Sequence, residues 1–178
     1  MLDLKFNLTR EEYFAFNYYT SWSAPERRSY RIRYFGRIIF LYAAVAMVYV
    51  FTRDQGQWYI DLFIFFLVGI LYFLVLPLLV KRSIRYRVQQ VLKSPGNQHI
   101  LDESQVVIAT DGITDRDKVS ESRYDWEAIV KIAETGDCVY LYTNSFHAIV
   151  IPKRILNAQQ RIELDKLLEQ HLPLSTAV

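Results

Sequence analysis

The sequence lacks the cysteine pairs, phosphate-binding loops and catalytic motifs that are typical of disulfide-bonded, cofactor-binding and catalytic proteins. It contains one cysteine, Cys138, which excludes an intrachain disulfide and fits a reducing compartment. We interpret Cys138 as a small apolar strand residue. No glycine-rich phosphate loop, GxSxG elbow or Cys–His pairing is present in the 178 residues. We therefore expect no enzyme activity.

Metal-binding patterns are also missing. Three histidines lie far apart, without the spacing of paired ligands: His99, His147 and His171. Three aspartates resemble part of a calcium loop: Asp111, Asp115 and Asp117. However, Gly112 is misplaced for such a loop and the terminal glutamate is absent. A polar turn is the better interpretation, and we expect no metal and no cofactor.

Charge is absent from the longest apolar run, "LFIFFLVGILYFLVLPLLV", residues 62–80. Of its 19 residues, 16 are Leu, Ile, Val or Phe. At about 1.5 Å per residue a helix of this length reaches ~28 Å, close to the ~30 Å hydrocarbon core of a bilayer. A soluble core helix would need polar residues on its outer face, and this run has none. The run therefore predicts a membrane span.

A second apolar run lies upstream. Ile38–Thr52 holds 15 uncharged residues, and it becomes long enough to span if it begins at Phe35 and Arg37 extends its guanidinium to the headgroups. The linker "RDQGQWYID" is short, and its Trp58 and Tyr59 suit an aromatic belt at the interface. Two spans joined by so short a linker predict an antiparallel hairpin.

Positive charge brackets both spans. Five cations precede the first span and five follow the second, whereas the linker has one arginine and two aspartates. By the positive-inside rule both termini face the cytoplasm, as in a multi-pass protein of the cell (inner) membrane. The N-terminus lacks an apolar signal region, so we expect no cleaved signal peptide. The candidate contacts to anionic lipid are Arg27, Arg28, Arg31, Arg33, Arg37, Lys81, Arg82, Arg85 and Arg87.

The periodicity changes after "SPGN" at 94–97 from helical to alternating. "SQVVIATDGITDRD" predicts two strands around an Asp-Gly turn, and "VSESRYDWEAIVKIAE" predicts one or two more. "CVYLYTNSFHAIVI" predicts two strands with inward residues Val139, Leu141, Phe146, Ile149 and Ile151. A helix follows, with Asn157 and Gln160 at capping-box spacing and an apolar stripe of Leu164, Leu167, Leu168 and His171. This is a pleckstrin-like layout.

The N-terminus carries one more strand pattern. Leu4, Phe6 and Leu8 alternate with polar residues, and Thr9 and Glu12 form a capping box for a following helix. An isolated strand leaves its backbone groups unpaired, so we expect it to join the sheet beyond the hairpin.

The predicted fold is therefore an α+β membrane protein, with a two-helix transmembrane hairpin inserted into a pleckstrin-like antiparallel β domain that ends in a C-terminal helix. The predicted segments are a cytoplasmic strand and amphipathic helix (1–34), the hairpin (35–81, spans about 35–52 and 62–80), a juxtamembrane helix and linker (82–97) and the β domain (98–178).

The chain combines the opening "F-x-L-T-x-E-E-Y", two apolar spans, and the tail segments "DGI", "YDWEAIVKIAET" and "IVIPKRIL". In these features nearly the whole chain resembles the YcxB-like family of bacterial membrane proteins. The resemblance implies a tail of the pleckstrin-homology type. None of these motifs is a catalytic signature.

Three residues are candidate partner or surface contacts. Trp126, interpreted as a strand residue, either anchors the core with its indole N–H bonded or lines a ligand groove. Lys153 and Arg154 follow the last strand and are either solvated charges or contacts to lipid phosphate. Residues 98–154 hold six cations and ten anions, so an anionic headgroup is better matched to the flanks of the spans.

Three functions are compatible with this sequence. We favour a membrane-anchored cytoplasmic interaction or regulatory module. The alternatives are an oligomeric small transporter or channel subunit and, third, a membrane enzyme. The expected partners are the bilayer, its anionic headgroups at the cytoplasmic face and an unidentified protein. Self-association stays open, and we expect no nucleic-acid partner.

Overall fold

The computed structural model describes residues 1–52 and 58–171. The chain forms two compact units. The first, the β unit, combines Met1–Ser21 with the chain from Arg87 onward. The second, the hairpin unit, is Trp22–Tyr86. One compact unit is thus built from two pieces of sequence that flank the apolar helices.

Within the described residues, the β unit contains seven strands and two complete α-helices, and the hairpin unit is built from two long α-helices. In chain order the elements are β1 (Leu2–Asn7), α1 (Arg10–Tyr18), α2 (Arg28–Thr52), α3 (Trp58–Lys93), β2 (Glu103–Ala109), β3 (Gly112–Arg116), β4 (Glu121–Tyr124), β5 (Lys131–Glu134), β6 (Cys138–Tyr142), β7 (Ala148–Pro152) and α4 (Ala158–His171). Helix α3 begins in the hairpin unit and ends in the β unit. The predicted α+β class is confirmed.

The first sheet has the order β1-β2-β3-β4 and is antiparallel throughout. Strand β1 pairs with β2, with Leu2 opposite Ile108 and Asn7 opposite Glu103. The alternating pattern of β1 is the physical reason for this pairing, since Leu2, Leu4 and Phe6 are buried and the residues between them are exposed. The prediction that the N-terminal strand joins the sheet beyond the apolar helices is confirmed.

The second sheet has the order β5-β6-β7, and both of its faces are covered. Every residue of β6 and β7 is buried. On one face Val139, Leu141, Ile149 and Ile151 pack with the first sheet, Trp126 and the apolar stripe of α4. These four inward residues were predicted correctly, as was the capping box of α4, where Asn157 and Gln160 bond each other's backbone N–H.

Phe146 is a correction, because its side chain is 66% exposed. It lies in the turn between β6 and β7, outside the alternation of either strand. The side chain of Asn144 accepts hydrogen bonds from the backbone N–H groups of Phe146 and His147 at 2.9 and 2.8 Å. This Asx turn fixes the backbone locally and directs the chain away from strand geometry.

The other face of the second sheet is covered by α1 and the π-helical turn that follows it, Tyr19–Ser23. Phe16 packs on Tyr140 with ring centroids 5.5 Å apart, and Tyr19 packs on the same ring at 5.5 Å. The hydroxyl groups of Thr20 and Tyr142 are hydrogen-bonded at 2.7 Å. The predicted capping box starts α1, with Thr9 and Glu12 bonded reciprocally. The N-terminal segment therefore contributes to both apolar clusters of the β unit.

The hairpin unit is an antiparallel helix pair. Phe35 stacks on Phe73 at 5.7 Å, and the Tyr42 hydroxyl donates to the carbonyl oxygen of Phe65 at 2.6 Å. Gly69 lies under the Tyr42 ring, since a Cβ there would lie 3.3 Å from it. Both helices are long and apolar enough to cross a membrane. The predicted linker between them falls partly on residues 53–57, outside the described ranges.

Candidate membrane-interface site

The antiparallel pairing of α2 and α3 brings the two cationic flanks to one end of the hairpin unit. Phe35 and Phe73 are in contact, and moving away from the linker means moving back along α2 and forward along α3. Eight residues before Phe35 is Arg27, and eight residues after Phe73 is Lys81. Arg27 and Arg28 on one helix are therefore level with Lys81 and Arg82 on the other. We call the eight cations of this end the collar: Arg27, Arg28, Arg31, Arg33, Arg37, Lys81, Arg82 and Arg85.

Most of the collar faces outward. Six of its members are exposed, and Arg27 and Arg31 are half-buried. Arg87, the ninth predicted lipid contact, is also exposed and lies on the part of α3 that belongs to the β unit. The exposed guanidinium and ammonium groups therefore concentrate positive charge at one end of the apolar helix pair.

Arg31 has a second role inside the collar. Its guanidinium donates to the carbonyl oxygens of Trp22 and Ala24, the latter at 3.1 Å. Those carbonyls precede the first helical turn at Pro25–Arg27, where the chain leaves the π-helical turn. Arg31 therefore fixes the entry of the chain into α2, which the sequence alone did not predict.

An aromatic group surrounds that entry. Trp22 meets the rings of Tyr30, Tyr34 and Phe35 edge-on, at centroid distances of 6.4, 5.7 and 6.1 Å. Tyr30 and Tyr34 also stack on each other at 6.3 Å, as residues four apart on a helix do. This group was not predicted from the sequence, although the aromatic stretches "YYTSW" and "SYRIRYF" could have indicated it.

Trp126 lies in the β unit and is buried, with 8% of its surface exposed. Its indole N–H donates to the carbonyl oxygen of Ala109 at 3.0 Å, and its ring stacks on His171 at 4.7 Å and 5°. The prediction of a core anchor with a bonded N–H is confirmed. Its assignment to a strand was wrong, because Trp126–Ala128 is a 3₁₀ turn between β4 and β5.

Lys153 and Arg154 are engaged within the β unit. Lys153 donates to the carbonyl of Thr135 and pairs with Glu134 at 2.6 Å, and its side chain is 15% exposed. Arg154 binds the carboxylate of Glu12 at 2.6 and 3.2 Å and the carbonyl oxygen of Asn7 at 2.7 Å. As contacts to a partner they stay predictions. In the structure, these two side chains connect the segment between β7 and α4 to neighbouring segments of the β unit.

Arg154 helps to lower the pKa of the Glu12 carboxylate. Burial alone would raise the pKa of Glu12, but hydrogen bonds from Arg154 and from the backbone and hydroxyl of Thr9 outweigh it. The net effect holds the pKa of Glu12 below its ordinary value of 4.5. Glu12 is therefore an ionised, buried partner for Arg154 at neutral pH.

Of the three aspartates near Gly112, Asp117 lies in a polar turn after β3, as predicted, whereas Asp111 lies in the turn between β2 and β3 and Asp115 lies within β3. Asp117 Oδ1 accepts from the backbone N–H groups of Val119 and Ser120 at 2.7 and 2.6 Å. Burial would raise the pKa of Asp117, but these bonds lower it overall. Within residues 1–52 and 58–171, no three His, Cys, Asp or Glu side chains are grouped so that they could hold a metal ion.

Cys138 is buried in β6, where burial raises the pKa of its thiol to about 11. The thiol therefore stays protonated at neutral pH, as expected of an apolar strand residue rather than a nucleophile.

Comparison with known proteins gives one match. The family model described as YcxB-like protein matches residues 108–168, which run from the end of β2 into α4. No curated protein and no solved structure matches the chain. The matched range includes the tail motifs around Trp126 and Arg154 that carry the resemblance. The resemblance to the YcxB-like family is therefore confirmed for residues 108–168, about a third of the chain.

Proposed function

We propose that this protein is a membrane-anchored cytoplasmic module, with its hairpin unit inserted in a bilayer and its β unit free to recruit a partner. The observation that carries the proposal is the surface of α2 and α3. Only 6% of the most apolar stretch of each helix is buried within the structure. A core helix of a soluble protein hides such a stretch, and an exposed apolar surface of this extent needs a nonpolar environment.

The strand pairing supports two crossings. Strand β1 precedes the hairpin and β2 follows it, and the two are hydrogen-bonded along six residue pairs. Both strands must then lie on one side of the membrane, so the chain crosses an even number of times. The collar lies at the outer ends of both helices, and the positive-inside rule supports a cytoplasmic location for that side.

The collar supports an electrostatic role at that face. Each cation close to an anionic membrane surface is worth about 1 kcal/mol. Arg28, Arg33, Arg37 and Arg82 are exposed and suited to this role. Arg31, in contrast, is bound to backbone carbonyls. We propose that the exposed collar gathers anionic lipid around the hairpin.

The β unit is proposed to be pleckstrin-like and to bind a protein or peptide. Two antiparallel sheets of four and three strands, followed by a C-terminal helix, support this fold assignment. Residues 98–154 hold four more anions than cations, which disfavours a phosphoinositide site on this unit. The recruiting role rests on fold analogy and on the membrane anchor.

The competing transporter or channel proposal requires polar side chains along a path through the membrane. Residues 38–52 and 62–80 contain no ionisable acid or base apart from tyrosines. Contacts between α2 and α3 include ring contacts of Phe35 with Phe73 and of Tyr42 and Tyr49 with Phe65. We therefore place this function second, and a membrane enzyme third.

The test of the proposal is lipid enrichment around the full-length protein. The protein is reconstituted in vesicles of neutral lipid and phosphatidylglycerol and extracted with its surrounding lipid, and the anionic fraction is measured. The wild type should be enriched in phosphatidylglycerol. Each of Arg28→Gln, Arg33→Gln and Arg82→Gln should weaken the affinity for anionic lipid by up to about fivefold.

A matched control removes the same charge elsewhere. Arg116 and Arg123 are exposed residues of the first sheet. The variants Arg116→Gln and Arg123→Gln should leave the enrichment unchanged. Equal enrichment in all variants would refute the proposal that the collar gathers anionic lipid. A protein that does not remain with the vesicles on flotation would refute the membrane anchor itself.

A further inference from the structure

We infer that Trp22, Tyr30 and Tyr34 form an interfacial anchor, a group of rings that sits at the boundary between lipid headgroups and acyl chains on the collar side. This inference rests on the proposed membrane insertion and adds a recognition surface to it. The partner is the bilayer interface itself, and the chemistry is aromatic rather than ionic. Tryptophan and tyrosine favour this depth because one end of each ring system is apolar and the other is polar.

The rings form one connected group at the correct end of the hairpin unit. Trp22 lies edge-on to Tyr30 and Tyr34, and Tyr30 stacks on Tyr34. Trp22 is half-buried against this group, whereas Tyr30 is 51% exposed. The group is therefore held in place by its own contacts and still offers ring surface to the surroundings.

The backbone carbonyls of Trp22 and Ala24 have hydrogen-bond partners, as a poorly hydrated environment requires. Trp22 and Ala24 lie where regular helix is interrupted, and in the interface an unbonded carbonyl would be costly. The Arg31 guanidinium satisfies both carbonyls. Arg28, Arg33 and Arg37 lie on the same helix as Tyr30 and Tyr34, and they are exposed cations that can extend to the headgroups.

The distance along the hairpin from this aromatic group to the aromatic pair at its other end matches the thickness of the hydrocarbon core of a bilayer. Trp58 and Tyr59 begin α3 at the linker end, and they are 60% and 58% exposed. Tyr30 lies five residues before Phe35 and is therefore level with Leu78, five residues after Phe73. From Tyr59 to Leu78 is 19 residues along α3, a rise of about 28 Å. The hydrocarbon core of a bilayer is about 30 Å thick, so the two aromatic groups are spaced as two interfacial belts are.

Depth-dependent fluorescence quenching tests this inference on the full-length protein. The chain has three tryptophans, and Trp126 in the β unit is buried and serves as an unquenched reference. The protein, Trp22→Phe and Trp58→Phe are each reconstituted in neutral vesicles whose lipid carries bromine either near the glycerol end or near the chain end. Neutral lipid removes any contribution from the collar charges. Far-ultraviolet circular dichroism and the thermal unfolding transition verify folding in each variant.

We expect stronger quenching of the wild type by the shallow bromine than by the deep one. Trp22→Phe and Trp58→Phe should each remove a comparable part of that quenching. If Trp58→Phe removes all of it and Trp22→Phe none, or if the deep bromine quenches Trp22 more strongly, the inference is overturned while the membrane anchor stands. If no tryptophan is quenched by either lipid, the membrane anchor fails as well.

Discussion

At the scale of single residues, the Glu12–Arg154 pair connects segments that are far apart in sequence. Arg154 contacts Glu12 and Asn7, which lie 142 and 147 residues away. The Glu12 side chain is only 11% exposed, so loss of its partner would leave a buried charge. This pair links the N-terminal segment to the start of the C-terminal helix.

The pair predicts a stability loss that a surface pair does not show. Arg154→Met should lower the free energy of unfolding by about 1–2 kcal/mol, less than a fully buried pair because the arginine is half-exposed. Arg116→Met is the matched control, since Arg116 and Glu121 are both more than half exposed, and should change it by less than about 0.5 kcal/mol. Denaturation of the full-length protein in detergent, followed at Trp126, measures both. Equal losses would contradict the assigned role of Arg154.

The same pair predicts a pH dependence with a defined sign. The pKa of Glu12 is lower in the folded protein than its ordinary value of 4.5. Its contribution to stability is therefore fully present above about pH 4.5 and is lost as the pH falls through the folded pKa. Glu12→Gln should be less stable than the wild type at pH 7, and the difference should shrink below pH 4.5. A difference that grows on acidification would contradict this prediction.

Trp126 gives the largest expected effect of a single substitution. Trp126→Ala should cost roughly 3–5 kcal/mol, because it removes a buried ring that stacks on His171 and a donor to Ala109. Trp58→Ala removes the same side chain from an exposed site and should leave the β unit unchanged in thermal unfolding. A folded, stable Trp126→Ala protein that had lost only a binding partner would favour the ligand-groove interpretation instead.

At the scale of elements, the β2–β3 turn depends on one glycine. Gly112 begins β3 with φ at +143°, a conformation that residues with a side chain rarely adopt. A Cβ at this position would lie 2.6 Å from the carbonyl oxygen of Tyr124. The turn itself is Thr110–Asp111, one residue earlier than the predicted Asp-Gly pair.

Gly112→Ala is therefore expected to destabilise the β unit by more than about 1–3 kcal/mol, since steric overlap adds to the backbone strain. The matched control is Gly136→Ala in the turn between β5 and β6, where a Cβ would have no heavy atom within 4 Å. That variant should stay within about 0.5 kcal/mol of the wild type. Urea denaturation of both full-length variants in mild detergent checks the contrast, and similar losses would count against it.

Sequence periodicity was sufficient to predict the elements that bury one face or that are buried completely. The alternation in β1 and the apolar stripe of α4 predicted their buried faces, because one face of each meets the core. Trp126 was misassigned, since an apolar run around a 3₁₀ turn also looks like a strand. The cover of α1 over Tyr140 and Tyr142, and the Glu12–Arg154 pair, depend on contacts across more than 100 residues, and no local pattern encodes such contacts.

At the scale of the whole molecule, the hairpin is an insertion within a folded unit. Strand β1 and helix α1 come before it, yet they complete the sheet and the second apolar cluster of the β unit. Burial of Leu2, Leu4 and Phe6 is worth roughly 1.5–3 kcal/mol each, a large part of the stability of a small domain. The β unit therefore combines the chain segments before and after the hairpin, and we propose that these segments lie on one side of the membrane.

The most direct test of this central claim is the membrane topology of the full chain. A reporter at each terminus and an epitope tag at Gln55, which lies outside the described residues, are scored for accessibility in intact cells and after permeabilisation. We predict that both terminal reporters lie on the same side, because β1 pairs with β2, and that this side is the cytoplasm, because the collar lies there. The tag should be labelled from outside. Termini on opposite sides of the membrane, or a tag that is protected in intact cells, would contradict the account.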